Sequence, residues 1–363
     1  MATFDVLLPV KNGVDYMREA IESIRIQTFQ DWRLLVLDHG SSDGSLALAQ
    51  ACAEGEPRIK VLQFPHAVGL SGLLNLGLDL CDCEYVLRQD ADDISLPQRM
   101  AVLADAYAAD PELAVVGSLG DVIDAHGRKI GNIDMPTGVH GVAAAALFRT
   151  PVCHPTASMR LEKLRSLGAR YGEDFLRILP SSRQLQVPGL AEDYFLFGQL
   201  ALVARCRNLD RGLIKYRWHG GNVSATRYLE QMGVALTISR HLSDSLAALE
   251  DTDSVDPAPF CTHGESLFEI EGRSDFSADH LRLGAMLRKM LPDSADLRRE
   301  LDFRHVLSVR RAPAVAARFL HFAARYSTRQ TERRAIKSWL LRGLRRRPVL
   351  TLAASMPVTL PAT

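Results

Sequence analysis

The sequence lacks the signatures of several common protein classes. Its six cysteines form no C-x-x-C pair, and Cys81 and Cys83 are too tightly spaced to make a zinc knuckle on their own. The N-terminal residues do not resemble a signal peptide, so we expect a cytoplasmic protein in a reducing compartment. No uninterrupted apolar run approaches the roughly 18–20 residues that a bilayer-spanning helix needs. Any contact with a membrane would therefore take place at its surface.

Two nucleotide-binding motifs are also missing. A dinucleotide-binding fold requires G-x-G-x-x-G after its first strand, and this chain has Pro9-Val-Lys-Asn-Gly13 there. No P-loop lysine motif occurs anywhere in the sequence. Phosphate must therefore be bound by other means, such as a cation that bridges carboxylates and a diphosphate.

Charge is balanced overall but unevenly distributed. The 363 residues carry 43 basic and 43 acidic side chains, so the formal net charge is zero. Residues 303–347 hold thirteen of the basic side chains and a single acid, Glu332, which gives this segment a net charge of +12. The chain is also too long for one core of ordinary size. We therefore expect a mildly acidic N-terminal body and a strongly basic C-terminal arm.

The first third of the chain alternates between strand-like and helix-like segments. Predicted strands cover residues 4–10, 33–37, 59–64, 85–89 and 114–116, and predicted helices cover 16–28, 45–52, 71–81 and 97–109. This alternation with short loops is typical of an α/β fold with a mostly parallel, doubly wound sheet. In such a sheet the strand ends at Val10, Asp38 and Asp90 would lie near one crevice.

Beyond residue 117 the pattern is less regular. A predicted helix covers 192–202, and from Tyr228 onward the sequence is mainly helical. We therefore predict an N-terminal α/β domain at residues 1–227 and a helical C-terminal extension at 228–363. A polar, acidic segment at 249–259 marks a weaker boundary.

The end of the fourth predicted strand carries the strongest chemical signal. Its apolar run stops at three acids, Asp90, Asp92 and Asp93. Packed carboxylates need nearby positive charge. If the strand remains extended, Asp90 and Asp92 share one side and Asp93 faces elsewhere. Two close carboxylates at this edge of a sheet suit a hard divalent cation, and a solvated acidic turn is the alternative.

Eight short segments occur in a distinctive order. They are Val6–Gly13, Gln27–Phe29, Val36–Gly44, Gly69–Gly77, Arg88–Asp93, His154–Arg160, Glu192–Tyr194 and Tyr216–His219. In this order and spacing they resemble family 2 glycosyltransferases with the GT-A fold, over about residues 3–224. The resemblance implies a metal-dependent, inverting transfer of a sugar from a nucleotide-sugar donor, with residues 1–227 as the catalytic domain.

The resemblance implies donor contacts for four residues. Pro9 and Asp38 would line the nucleotide pocket, and Asp90 would contact the ribose or the donor sugar. Arg88 would either counter the neighbouring carboxylates or contact the donor. For Asp38 an equally simple role is a carboxylate that closes the turn at Gly40.

It also implies a metal site and a catalytic base. Asp92 and His219 would coordinate Mg²⁺ or Mn²⁺, since both cations accept oxygen ligands and Mn²⁺ tolerates an imidazole. Asp193 would be the general base that takes the proton from the acceptor hydroxyl, and Glu192 beside it would face elsewhere and support it. His154 would be either a structural histidine or an acceptor-side group.

Two departures from the family pattern affect what we expect of the donor and of the number of sugars added. His39 stands where relatives carry a second acid after the second strand, so the recognised nucleobase is open, although a UDP-sugar is expected. The Q-x-x-R-W signature of processive relatives is absent. We therefore expect a single-addition hexosyl- or N-acetylhexosaminyltransferase that acts on a surface-glycan or lipid-linked acceptor.

The basic arm has three interpretations. Its apolar residues Trp339, Leu340, Leu341, Leu344 and Leu350 interleave with Arg333, Arg334, Lys337, Arg342 and Arg345, Arg346 and Arg347. A basic amphipathic helix can lie on anionic lipid, here the inner face of the cell membrane. It can equally pair with an acidic partner. Nonspecific nucleic-acid binding is the third option, but no nucleic-acid motif supports it.

Two other functions remain as rivals. A sugar-nucleotide pyrophosphorylase also uses an aspartate-held metal, but it would need a glycine- and arginine-rich loop after the first strand, which residues 10–14 lack. A catalytically silent glycan-binding or scaffold protein would have no reason to keep Asp90, Asp92, Asp193 and His219 together.

Overall fold

The computed structural model describes residues 3–222, 226–262 and 273–341. Within these ranges nine strands form one sheet. The strands are β1 (Phe4–Val10), β2 (Trp32–Asp38), β3 (Ile59–Gln63), β4 (Tyr85–Arg88), β5 (Ile94–Ser95), β6 (Leu113–Ile123), β7 (Lys129–Ile133), β8 (Ser158–Arg160) and β9 (Arg205–Arg217).

The α-helices of the described residues fall into two groups along the chain. Those interleaved with the strands are α1 (Val14–Arg25), α2 (Ser45–Ala53), α3 (Gly69–Leu80), α4 (Arg99–Ala109), α5 (Val139–Ala145), α6 (Leu161–Leu167) and α7 (Glu192–Val203). Those that follow the sheet are α8 (Tyr228–Leu249), α9 (Ser277–Met290), α10 (Ala295–Leu307), α11 (Ala312–Arg325) and α12 (Gln330–Leu341).

The sheet has a parallel half and a mixed half. Its order is β3-β2-β1-β4-β8-β6-β9-β5, with β7 paired to β6. Strands β3, β2, β1 and β4 are parallel to one another, whereas β8 is antiparallel to both β4 and β6. Strands β6 and β9 are parallel, and β7 and β5 are antiparallel to their partners. The alternation of strands and helices in the first third of the sequence predicts the parallel half. The mixed half is formed by later residues, where this alternation is no longer regular.

Helices cover both faces of the parallel half, as the alternation predicts. Val6 and Leu8 of β1 share a hydrophobic cluster with α1, α2 and α4, whereas Leu7 belongs to a second cluster with α3, α6 and α7. Helix α3 lies so close to the sheet that a Cβ on Gly77 would be 2.7 Å from Leu37. That close approach explains why a glycine stands at position 77.

The C-terminal helices pack directly against the α/β part. Residues of α7 and α8 share one large buried cluster with α9 and α10. Asp296 of α10 accepts a hydrogen bond from the backbone N–H of Gly141 at 2.8 Å, and it lies 2.5 Å from where a Cβ on Gly138 would be. The division at residue 227 stays a prediction. No helix among the described residues combines the length and apolarity needed to cross a membrane.

Candidate active site

The ends of β1, β2 and β4 meet at one edge of the sheet. Val10 pairs with Asp38 in register, and the N–H of His39 donates to the Val10 carbonyl at 2.8 Å. Just beyond β4, the N–H of Gln89 donates to the Leu7 carbonyl at 3.1 Å. The three strand ends therefore lie side by side, as the sequence predicts.

The three acids after β4 lie on a turn. Strand β4 ends at Arg88, and the N–H of Asp93 donates to the carbonyl of Asp90 at 3.3 Å. Because the chain is not extended here, alternation does not apply, and the expectation that Asp93 faces elsewhere is wrong. One oxygen each of Asp90, Asp92 and Asp93 lies within 4.8 Å of the others.

The two predicted metal ligands are in direct contact. Asp92 Oδ2 and His219 Nε2 are 3.0 Å apart although 127 positions separate them in sequence. The N–H of Gly221 donates to His219 Nδ1 at 3.1 Å, so the neutral ring carries its proton on Nε2 and donates it to Asp92. Coordination of a cation through Nε2 would require that this proton leave. Burial, followed by the charge of Asp90, raises the pKa of Asp92.

Asp93 is the most deeply buried of the three acids. It is 1% exposed, and its Oδ1 accepts from the N–H of Arg217 at 2.8 Å. Burial, then the charges of Asp90 and Asp92, raise its pKa well above the ordinary range. Its Oδ2 has no hydrogen-bond partner within the described residues. An unpaired buried carboxylate oxygen is costly, and a cation at the acidic turn would supply the missing partner.

This donor set fits a hard divalent cation. Three carboxylates converge at the carboxyl end of a strand, one oxygen of Asp93 lacks a partner, and an imidazole adjoins Asp92. Mg²⁺ and Mn²⁺ take carboxylate oxygens as ligands, and Mn²⁺ also accepts imidazole nitrogen.

Arg88 is 1% exposed and directs its guanidinium at groups of the protein itself. Its Nη2 donates to Asp90, and its Nη1 donates to the carbonyls of Leu7 at 3.2 Å and Gln89 at 2.6 Å. Its Nε donates to His154 Nε2 at 3.1 Å. These contacts favour the role of countering carboxylates over direct contact with a donor.

The two predicted nucleotide-pocket residues lie at the same edge. Pro9 is buried in β1 opposite Leu37. Asp38 is 2% exposed, and its carboxylate accepts from the N–H groups of Gly40 at 3.1 Å and Ser41 at 3.3 Å. Asp38 therefore closes the turn after β2, and its contact with a nucleotide stays a prediction.

The predicted base stands in the first turn of α7. Burial raises the pKa of Asp193 to about 6, and burial followed by the charge of Asp193 raises the pKa of Glu192 to about 7. The charges of Asp90 and Arg88 also affect the pKa of both carboxyls, and the direction in which Glu192 faces stays a prediction. The two residues before the helix, Leu190 and Ala191, both have φ of 59°, a strained conformation that clusters at functional sites.

A family model, that of glycosyl transferase family 2, matches residues 5–167. These residues include β1 to β4 and the acidic turn. Residues 5–167 therefore form a glycosyltransferase family 2 domain. The resemblance noted in the sequence is thereby confirmed, and the match favours a transferase over a pyrophosphorylase.

Named relatives of the chain support the same assignment. An uncharacterized glycosyltransferase of Haemophilus influenzae is 26% identical over 243 residues, 65% of this chain and 71% of that protein. The amylovoran biosynthesis glycosyltransferase AmsE of Erwinia amylovora is 28% identical over 186 residues, 48% of this chain and 69% of that protein. The structure of S. aureus TarS 1-349 in complex with UDP-GlcNAc aligns with a TM-score of 0.52 at 17% identity, over 93% of this chain and 91% of that one. The fold is therefore of the GT-A type, as the sequence predicts.

Two residues of the candidate site, Asp93 and Arg217, are not predicted as site residues by the sequence. An extended strand through Asp93 would direct its side chain away from Asp90 and Asp92, whereas the turn after β4 brings the three carboxylates together. Arg217 received no role, yet it is 2% exposed and its Nε donates to the carbonyl of Asp92 at 2.9 Å. Its guanidinium also lies 4.6 Å from the centre of the Tyr16 ring. The only signal in the sequence was the position of Arg217 two residues before His219.

Proposed function

We propose that this chain transfers one sugar from a UDP-sugar to an acceptor hydroxyl, with inversion and with the help of a bound Mg²⁺ or Mn²⁺. One observation carries the proposal, the convergence of Asp90, Asp92 and Asp93 within 4.8 Å. It lies at the strand edge where α/β sheets bind ligands. In a glycosyltransferase this edge is suited to a nucleotide-sugar diphosphate held through a cation.

Different residues have different roles in the proposed reaction. Asp92 and His219 hold the cation, which when bound supplies positive charge for the departing diphosphate. Asp193 accepts the proton of the acceptor hydroxyl as that oxygen attacks the anomeric carbon. The bond from this carbon to the diphosphate breaks on the opposite face, and the diphosphate leaves with the bonding electrons. Attack from the far side inverts the configuration of the sugar.

The donor pocket would be built from the neighbouring strand ends. Pro9 and Asp38 would flank the nucleotide, and Asp90 would contact its ribose or the sugar. Arg88 would act on the donor indirectly, because its N–H groups already bind Asp90 and backbone carbonyls. AmsE is named for amylovoran biosynthesis, which supports a surface-glycan or lipid-linked acceptor and hence work in the cytoplasm.

A donor panel tests the proposed function. Purified protein, Mn²⁺ and a set of nucleotide sugars would be assayed for released nucleoside diphosphate, with slow hydrolysis by water as the readout that needs no acceptor. We expect release from a UDP-hexose or UDP-N-acetylhexosamine, and none after a chelator is added. Release of nucleoside diphosphate that continues in the presence of the chelator would contradict the role of the metal. If no donor in the panel releases nucleoside diphosphate, the proposed sugar transfer is contradicted.

The raised pKa of Asp193 predicts a pH profile. A protonated carboxyl cannot accept the acceptor proton, so turnover should fall as the pH drops through the pKa of about 6 that burial gives this residue. An aspartate near its ordinary pKa of about 3.9 would keep turnover constant down to about pH 5. Initial rates at saturating donor across this range decide the point. A profile that is flat from about pH 5 to 7 would contradict a base with a raised pKa.

Several arginines of the basic arm form ion pairs within the protein. Arg304 forms a buried ion pair with Glu300, and Arg329 reaches the same carboxylate at 3.3 Å. Arg325 pairs with Asp302 at 3.3 Å. Arg304 and Arg329 are therefore engaged by the buried Glu300, whereas the side chain of Arg325 is 54% exposed.

Three basic residues of α12 are exposed and share one side of the helix. They are Arg333, Arg334 and Lys337, and Leu340 beyond them is 37% exposed. The side chains of Trp339 and Leu341 and residues 342–350 lie outside the described residues. We propose that this side of α12 contacts anionic lipid at the inner face of the membrane, because each basic side chain near such a surface contributes about 1 kcal/mol.

Charge reversal tests the lipid contact. The triple variant Arg333→Glu, Arg334→Glu, Lys337→Glu should lose co-sedimentation with anionic vesicles at low salt and keep donor hydrolysis. The matched control reverses three exposed charges elsewhere, Lys60, Arg207 and Arg211, for the same change in net charge. An equal loss of co-sedimentation in both variants would indicate a nonspecific charge effect. If the full-length wild-type protein does not co-sediment with the vesicles, the membrane proposal is contradicted.

A further inference from the structure

A chain of hydrogen bonds runs from α3 to the acidic turn. Arg88 Nε donates to His154 Nε2 at 3.1 Å, and the same nitrogen is 3.1 Å from the Tyr171 hydroxyl. Since an arginine N–H can only donate, His154 Nε2 is an acceptor, and Tyr171 must donate its hydroxyl proton to it. At the far end Arg88 Nη2 donates to Asp90.

Tyr171 is itself fixed by a pair of hydrogen bonds from α3. The Asn75 side chain donates to the Tyr171 carbonyl at 3.1 Å, and its oxygen accepts from the Tyr171 N–H at 2.9 Å. Tyr171 is 1% exposed. Its ring contacts His154 with a centroid distance of 5.4 Å, and Phe197 contacts His154 from another direction at 6.0 Å. Packing therefore leaves His154 little freedom to move.

The imidazole has a distinct effect on the arginine. Burial, then the charge of Arg88, lowers the pKa of His154 well below its ordinary value, so the ring stays neutral. A neutral acceptor fixes the direction of the guanidinium and leaves its positive charge available to Asp90. A carboxylate at the same place would compete with Asp90 for that charge.

We propose that Tyr171 is a positioning residue for the donor-side carboxylate Asp90. It acts through His154 and Arg88, which fix the direction of that carboxylate without contact between Tyr171 and the donor. The inference rests on the proposed function, because Asp90 must contact the donor for its position to matter. It assigns His154 to the support of the donor site, where the sequence left a structural and an acceptor-side role open.

Two tyrosines of the chain offer a matched comparison. Tyr107 is also 1% exposed, and its hydroxyl makes a hydrogen bond to Ser158 at 3.1 Å, outside the chain that leads to Asp90. Tyr171→Phe and Tyr107→Phe each remove one buried hydroxyl and leave the ring. Their effects on thermal stability should therefore be similar, and only the first should weaken UDP binding.

The experiment measures the Kd of UDP with Mn²⁺ by calorimetry, and the Tm, for both variants. We expect Tyr171→Phe to weaken UDP binding about three- to tenfold, the effect of one lost hydrogen bond, and Tyr107→Phe to leave it within about twofold. In an Asp90→Asn background, Tyr171→Phe should cause no further loss, since residues that act through one path are not additive. Equal Kd values for the two tyrosine variants, or an undiminished effect in the Asp90→Asn background, would overturn the inference alone. A wild-type protein that binds no UDP would overturn the proposed function and this inference with it.

Discussion

Asp92→Asn should abolish the cation-dependent part of UDP binding while the protein stays folded. The substitution removes the charge of a carboxylate that lies 3.0 Å from His219 Nε2 and barely changes the volume of the side chain. Loss of residues that merely support metal ligands already weakens metal binding by about 10- to 100-fold. Loss of a ligand carboxylate should therefore weaken UDP binding in Mn²⁺ by more than roughly 100-fold. Calorimetry with and without Mn²⁺, together with the Tm of the variant, measures both effects.

The matched control for this variant is Asp105→Asn. Asp105 is exposed on α4, so the same change there should leave UDP binding as in the wild type. If Asp92→Asn binds UDP with Mn²⁺ as tightly as the control does, Asp92 is not a ligand of the cation. The proposed mechanism would then lose its metal site.

Asp193→Asn should separate catalysis from binding. An amide cannot accept the acceptor proton, so turnover should fall by roughly 10²–10⁴-fold, the usual contribution of a positioned base. Asp193 does not hold the cation in this account, so the affinity for UDP with Mn²⁺ should stay close to that of the wild type. Steady-state rates with saturating donor and the Kd of UDP measure the two quantities separately.

Glu192→Gln is the informative companion, because Glu192 adjoins Asp193 and also has a raised pKa. A modest loss of turnover in this variant, with a severe loss in Asp193→Asn, assigns the base to Asp193. The reverse order would assign it to Glu192. Lost UDP binding in Asp193→Asn would make that residue part of the donor site.

Much of the parallel half of the fold could be predicted from the sequence. Strands β1 to β4 and their helices follow local patterns of apolar spacing and turn residues, and the observed bounds differ from the predicted ones by a few residues. The mixed half could not be predicted in the same way. Strand β9 pairs with β6 in parallel, and β8 is inserted between β4 and β6. These pairings join distant parts of the chain, and no local pattern encodes them.

In the candidate site, too, some positions could be predicted from the sequence and others could not. Asp92 and His219 were predicted as a pair and lie 3.0 Å apart, because each belongs to a recognisable segment. The position of Asp93 could not be predicted, because it depends on a hydrogen bond between backbone groups that turns the chain after β4. Arg217 and Tyr171 were not found, since their roles depend on which distant side chains they contact. The engagement of the basic arm with the rest of the protein also depends on tertiary contacts, such as the ion pair of Arg329 with Glu300 at 3.3 Å.

The most direct test of the central claim is a crystal of the protein grown with Mn²⁺ and UDP, measured for the anomalous scattering of manganese. The account predicts one strong anomalous peak about 2.0–2.6 Å from a carboxylate oxygen of Asp92, the distance at which divalent cations bind oxygen ligands. The diphosphate of UDP should lie on the other side of that peak, and His219 should have exchanged its hydrogen bond for the cation or moved aside. Bound UDP with no manganese between its diphosphate and Asp92 would contradict the account.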